Sequence, residues 1–220
     1  MPTYSDDIDL LSYEPHVFRD AAWASQALFT GTGDLAGTTL TLVGGGTLAS
    51  TPVEPRNVVV LAGTGVNGTY PIVTRASNTQ LTISTLYDDL LPPGSAAGAS
   101  PVATAAGLTV AVRTFSPQAS IVSGLLTQAC GIVAGTGDEQ TVTIVNPTAL
   151  RMPCALGTLA MIYGTLAAAA GADANLRARA DLYDRAYRRA MRSVVAHLDI
   201  DGDGVPDVVR RLNVLELARG

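Results

Sequence analysis

The feature that most restricts the fold of this chain is a long middle stretch with little helical character. Residues 30–114 are rich in Gly, Thr, Val, Ser and Pro. Within them, apolar and polar residues alternate in five short runs: Thr38–Val43, Asn57–Ala62, Thr69–Thr74, Gln80–Thr85 and Leu108–Arg113. Gly, Pro and Asn separate the runs, as expected of half-buried strands joined by turns. Five strands of this spacing predict a small β-barrel or sandwich. The Pro/Gly/Ala/Ser-rich segment from Pro92 to Gly107 reads as a mobile loop within it.

Both flanks change period. Ser5 is placed to cap a short helix, with Asp6, Asp7 and Asp9 in the first turn, where carboxylates meet the helix dipole. Pro15 suits the start of a second helix, and Val17, Phe18, Ala21, Ala22, Ala24, Ser25 and Leu28 continue at helical spacing around Trp23. After the middle stretch, Ser116-Pro117 opens a helix whose inner residues are Ile121, Val122, Leu125, Leu126, Ala129 and Cys130, ending at Gly131. Residues 140–145 (QTVTIV) look extended. A helix follows from about Leu150 to Ala169, with Leu156, Leu159, Ala160, Ile162, Tyr163 and Leu166 inward.

The last helix is the clearest element: Leu176, Ala180, Tyr183, Tyr187, Ala190 or Met191, Val194 and Leu198 step by three and four. The expectation is an α+β chain in which a helical bundle formed by both chain ends (1–29 and 115–200) carries an inserted small β-barrel or sandwich domain (30–114). A calcium-type loop and an extended C-terminal tail occupy 201–220.

Composition narrows the function. Of 220 residues, 47% are hydrophobic, enough for a core, and the net charge of −5 does not build a nucleic-acid surface by charge alone. Every cation is arginine, a planar fork suited to carboxylate or phosphate. Cys130 and Cys154 lie in apolar stretches and read as free, buried thiols. The acidic N-terminus has no basic region followed by an apolar run, so no signal peptide is expected. The apolar stretch 150–170 reads as a buried helix, because Arg151 and Pro153 interrupt it.

The local motifs favour structure over catalysis. Gly63-Thr-Gly65-Val-Asn-Gly68 follows a predicted strand, but a second strand comes next where a dinucleotide site needs a helix. A glycine hairpin is the better reading. His16 and His197 sit in no group with a nucleophile, and His197 is expected at a helix C-terminus, where the dipole favours its cation. The chain therefore reads as a non-enzyme. On the last helix Arg177, Asp181, Asp184, Arg185, Arg188, Arg189 and Arg192 share the outer side. Asp181–Arg185 and Asp184–Arg188 are spaced as ion pairs. A solvated salt-bridged face, a phosphate site and a contact for an acidic protein partner all fit this pattern. The Asp- and Glu-rich first twenty residues of a neighbouring copy would supply the last.

One motif carries ligand chemistry. In Asp199-Ile-Asp-Gly-Asp-Gly-Val-Pro-Asp207, residues Asp199, Asp201 and Asp203 offer carboxylates at alternate positions, Gly204 permits the turn, Val205 offers a carbonyl and Asp207 a further oxygen. Calcium takes six to eight such oxygens. The pattern departs from an EF-hand at Arg210, where a bidentate Glu belongs, and is closer to the short aspartate loops of bacterial and thrombospondin-type calcium repeats. The alternative is a turn that ends a helix, built from turn-forming residues.

Taken together, DLLSYEPHVFRDA, the β insert, VRTFSPQASIVSGLLTQACGI, LRMPCALGTLAMIYGTLA and ARADLYDRAYRRAMRSVVAHLDIDGDGVPD give an organisation that resembles the head–tail connector (adaptor) proteins of tailed bacteriophages. The resemblance covers the helical zones; the β insert departs from the minimal adaptor pattern. It implies a virion protein made in the host cytoplasm. Such a protein forms a homo-oligomeric ring, twelve copies being the family expectation, that binds the portal protein and docks the next neck or tail component. Genome DNA would pass through without sequence-specific binding, and no membrane is involved. The alternating tail, here Val208, Val209, Arg210, Arg211, Leu212, Val214, Leu215 and Leu217, has no evident partner in its own fold and is the expected portal contact. The alternatives are another neck protein, such as a tail terminator, and a calcium-dependent extracellular binding module.

Overall fold

The computed structural model describes residues 3–23, 25–85, 102–132, 142–170 and 173–212. The chain is α+β and divides into two compact units: Asp6–Ser116, and Met1–Ser5 with Pro117–Gly220. The two N-terminal helices, α1 (Asp7–Tyr13) and α2 (Val17–Asp20), thus share a unit with the strands, whereas the expected helical body grouped them with the C-terminal helices.

The first unit is built around a closed six-stranded antiparallel barrel. Its strands are β1 (Gln26–Ala36), β2 (Thr39–Gly44), β3 (Val58–Gly63), β4 (Val66–Arg75), β5 (Gln80–Ile83) and β6 (Ala105–Thr114), in the order β1-β2-β5-β4-β3-β6. Five strands answer to the sequence reading; β1 does not, since residues 26–29 were expected to be helical. They pair with β6 instead, Gln26 opposite Thr114 and Phe29 opposite Val112. Side chains alternate as the pleat requires: Leu108, Val110 and Val112 of β6 and Val59 and Leu61 of β3 fill the barrel with Phe29, Leu35, Leu40, Leu42, Ile72, Leu81 and Ile83.

Val58 has the opposite parity to Val59 and Leu61 and is also fully buried. The two helices account for it by packing against β3. The Phe18 ring meets that of Phe115 at 5.1 Å. The G-x-G-x-x-G stretch is a two-residue hairpin, with Gly63 opposite Val66 and Gly65 at φ 81°. Arg75 anchors the crossing segment between β2 and β3 by donating to the carbonyls of Leu48, Thr51 and Val53. The Pro92–Gly107 segment lies outside the described residues as far as residue 101.

The first helix is capped by Asp6, not by Ser5 as expected. Asp6 accepts from the N–H groups of Ile8 and Asp9, and the Asp9 carboxylate accepts from the Asp6 N–H in return. Asp7 and Asp9 are buried. Asp7 accepts from the Phe115 N–H at 2.8 Å and from Asn57 at 3.1 Å. Burial outweighs these bonds, with the one from Phe115 the strongest of them, and lifts its carboxyl to about 6.

The second unit contains α3 (Ser116–Ala129), α4 (Arg151–Ala169), α5 (Ala174–Ser193) and a three-stranded sheet of β7 (Thr143–Ile144), β8 (Val195–Asp199) and β9 (Val208–Arg211), in the order β7-β8-β9. α3 ends as its sequence suggests. Gly131, at φ 83°, donates to Gln128 and Ile132 donates to Thr127, which closes the helix with a Schellman motif. Pro147–Ala169 is long and apolar enough to cross a membrane by length and composition, and just over half of its most apolar window is buried within the protein.

Leu156, Leu159, Ile162, Tyr163 and Leu166 of α4 face inward. α5 lies against it: Tyr163 stacks on Tyr183 at 5.5 Å, and Arg179 donates to the Tyr163 hydroxyl at 3.0 Å. A Cβ at Gly157 would meet Val122 of α3 at 2.8 Å and Tyr187 of α5 at 3.0 Å, so a glycine is what lets three helices meet there. Tyr4 and Ser5 join this unit. The Tyr4 N–H donates to Ser123, its hydroxyl bonds Thr127, and Ser5 donates to the Cys154 sulfur at 3.0 Å. Both cysteines are free and buried, and desolvation pushes the Cys130 thiol up to about 11.

Candidate metal-binding loop

The aspartate loop connects two antiparallel strands and does not terminate a helix. α5 stops at Ser193, and Val194 is already extended, with ψ 134°. β8 then pairs on one side with β9, Val195 opposite Arg211 and Leu198 opposite Val208. On the other side it pairs with β7, Thr143 opposite Asp199. Two expectations fall with this. His197 is a strand residue and not a helix C-terminal one, and its N–H donates to Asn146 at 2.8 Å. The tail does have a partner in its own fold, since Val208, Val209, Arg210 and Arg211 form β9. Leu212 follows with its N–H directed to Val194, and Val214, Leu215 and Leu217 lie outside the described residues.

Arg210 has a structural role that the sequence did not reveal. Its guanidinium donates to the Cys130 carbonyl at the C-terminal end of α3, where a cation complements the helix dipole. A Cβ on Gly131 would collide with that guanidinium. Arg210, which stands where an EF-hand has its bidentate Glu, is therefore engaged at the end of α3.

Within the loop, hydrogen bonds to backbone amides organise the carboxylates. Asp199 is nearly buried and accepts from Gly202 at 2.7 Å and Gly204 at 2.9 Å. Both glycines are at φ 82°, the left-handed conformation that such a compact turn needs and glycine adopts without strain. Asp207 accepts from the Ile200 N–H at 2.7 Å, which draws the end of the loop back to its start. Asp203 accepts from Val205 at 2.7 Å.

Carboxylate oxygens of Asp199, Asp201 and Asp207 lie within 4.8 Å of one another and can together hold a metal ion. Asp203 stands outside this triad, so three of the four predicted carboxylates converge. The donor set is entirely hard oxygen, which fits calcium or magnesium and not the softer transition metals.

The electrostatics of the triad are uneven. The Gly204 N–H, opposed by desolvation and helped by the bonds from Gly202, Asp201 and Asp203, holds the Asp199 carboxyl below its ordinary value. The Asp201 carboxyl moves the other way. The Asp203 N–H pulls it down, but the charges of Asp203 and Asp207, desolvation and the charge of Asp199 together outweigh that bond and raise it. Such carboxylate crowding is relieved by a bound cation. Comparison with protein-family models, with curated proteins and with solved structures returned no match.

Proposed function

We propose that this chain is a structural virion protein, a head–tail connector subunit that assembles as a ring beneath the portal and docks the next neck or tail component. The observation that carries this reading is the C-terminal sheet. β9 is its edge strand, Val209 is 62% exposed, and the chain continues from β9 directly into residues 212–220. An edge strand followed by an alternating apolar tail is what a partner needs for docking by strand addition. On this reading Val208–Arg211 and the following Leu212, Val214, Leu215 and Leu217 form the portal contact.

Tyr4 and Ser5 pack on α3 and α4, so the start of the chain joins the C-terminal helical unit while α1 and α2 stay with the barrel. Calcium on Asp199, Asp201 and Asp207 would fix the β8–β9 loop and so the direction in which the tail leaves. Genome DNA would pass through the ring without being read.

The test is size determination of the pure protein alone and with portal. Full-length protein should join portal in a defined stoichiometric complex, and a chain ending at Leu212 should keep its circular dichroism spectrum and lose portal binding. A strict monomer that ignores portal would refute the proposal.

A further inference from the structure

The charge of this molecule is unevenly distributed, and two surfaces of the second unit are chemical opposites. α5 carries six arginines and two aspartates, a net +4 in a chain whose total is −5. Arg185, Arg188, Arg189 and Arg192 fall within an arc of about 100° on its outer side, by the 3.6-residue period. Arg185, Arg188, Arg189 and Arg192 are all exposed, and Arg188 also pairs with Asp184 of its own helix at 2.9 Å. Leu182, 55% exposed, sits one turn before them on the same side. The β8–β9 loop presents the complement: Asp201, Asp203 and Asp207 are exposed, with Ile200 and Val205 exposed among them and Asp199 buried beneath. Each surface thus sets exposed apolar side chains beside charges, of opposite sign.

The first twenty residues, the acidic patch expected from the sequence to meet these arginines, are poorly available for the task. Asp7 and Asp9 are buried, and Asp6 pairs with Arg56.

Resting on the connector reading, we infer that α5 is an intersubunit surface and that its occupant is the Asp199–Asp207 loop of a second copy of this chain. Guanidinium forks of Arg185, Arg188, Arg189 and Arg192 meet the carboxylates in charge-assisted pairs, and Leu182 meets Val205 and Ile200. The contact is head-to-tail: each copy offers one arginine face and one aspartate loop, so it propagates around a ring. A divalent cation on the loop lowers its charge from −4 to −2 and weakens the contact, so the test is made in chelator.

Two variants carry the test: R185E with R189E, and D201R with D203R, all at exposed positions. In low salt the wild type should sediment as an oligomer, and each variant alone as a folded monomer. An equimolar mixture of the two should regain the oligomer, because the reversed face of one then meets the reversed loop of the other. As a second measurement, L182C protein mixed with V205C protein should form an intermolecular disulfide on mild oxidation, whereas neither should do so alone; native Cys130 and Cys154 are buried.

A wild type that stays monomeric in low salt at high concentration overturns the contact. So does an oligomer that survives both reversals, or a mixture of folded variants that stays monomeric. Rings on portal that ignore the reversals would overturn this contact and leave the connector reading standing. Failure of the wild type to join portal counts against the connector reading itself.

Discussion

Arg56 shows how single residues are placed under constraint in this chain. Glu54-Pro-Arg-Asn57 closes with a bond from the Asn57 N–H to the Glu54 carbonyl, and Arg56 takes φ 77° at the third position, where such turns prefer glycine. Its side chain pairs with Asp6, the cap of α1. Strain of about 1 kcal/mol is thus set against an ion pair. Arg56→Gly should be within about 0.5 kcal/mol of wild type in denaturant unfolding, and Arg56→Ala, which keeps the strain and loses the pair, should be less stable by about 1 kcal/mol.

Asp7 belongs to the same scale. Its folded carboxyl is at about 6 against 3.8 when unfolded, so the folded state holds its proton more tightly. The sign follows: its contribution to stability is full below pH 4 and is lost as pH rises towards 6, by roughly 3 kcal/mol. Asp7→Asn keeps an acceptor for the Phe115 N–H and should abolish this falling limb in a pH series of thermal melts.

Elements were legible in the sequence where one period dominated and lost where two periods agreed. The barrel strands declared themselves through alternation and turn residues. β8 did not, because Val194 and Leu198 are four apart, a spacing that continues the stripe of α5 and also places both on one face of a strand. The adjacent β-branched pair Val194-Val195 was the available signal for extension. β1 was lost in the same way, since Leu28 fell on the helical spacing begun at Val17, while pairing with β6 decided the outcome.

For the candidate site, the residues were legible and the setting was not. The Asp-Gly pattern marked a cation loop, but only the strands show that it spans a hairpin and leaves Asp203 outside the triad. At this scale, Asp173, which caps α5 by accepting from Asn175 and Leu176, should cost about 1 kcal/mol when replaced by Ala. Calcium should raise the melting temperature of the wild type and leave D199N/D201N unchanged. An equal response from both would place the ion elsewhere.

At the scale of the whole molecule, the two units divide the work. The barrel has a core of its own and closes on itself through all six strands. The helical unit carries the features that the connector reading assigns to partners: an edge strand leading into the tail, an arginine face on α5 and an aspartate loop. On the connector reading, the chain works by what it joins. The contribution of electrostatics to that joining should be visible as salt sensitivity, with self-association weakening as ionic strength rises towards about 0.5 M.

The central claim, assembly as a ring on the portal, is tested most directly by native mass spectrometry of the protein mixed with purified portal. The expected spectrum shows a single complex in which several copies of this chain, in number matched to the portal's symmetry, are bound to one portal ring. A spectrum containing only free portal and a monomer of this chain would contradict the account.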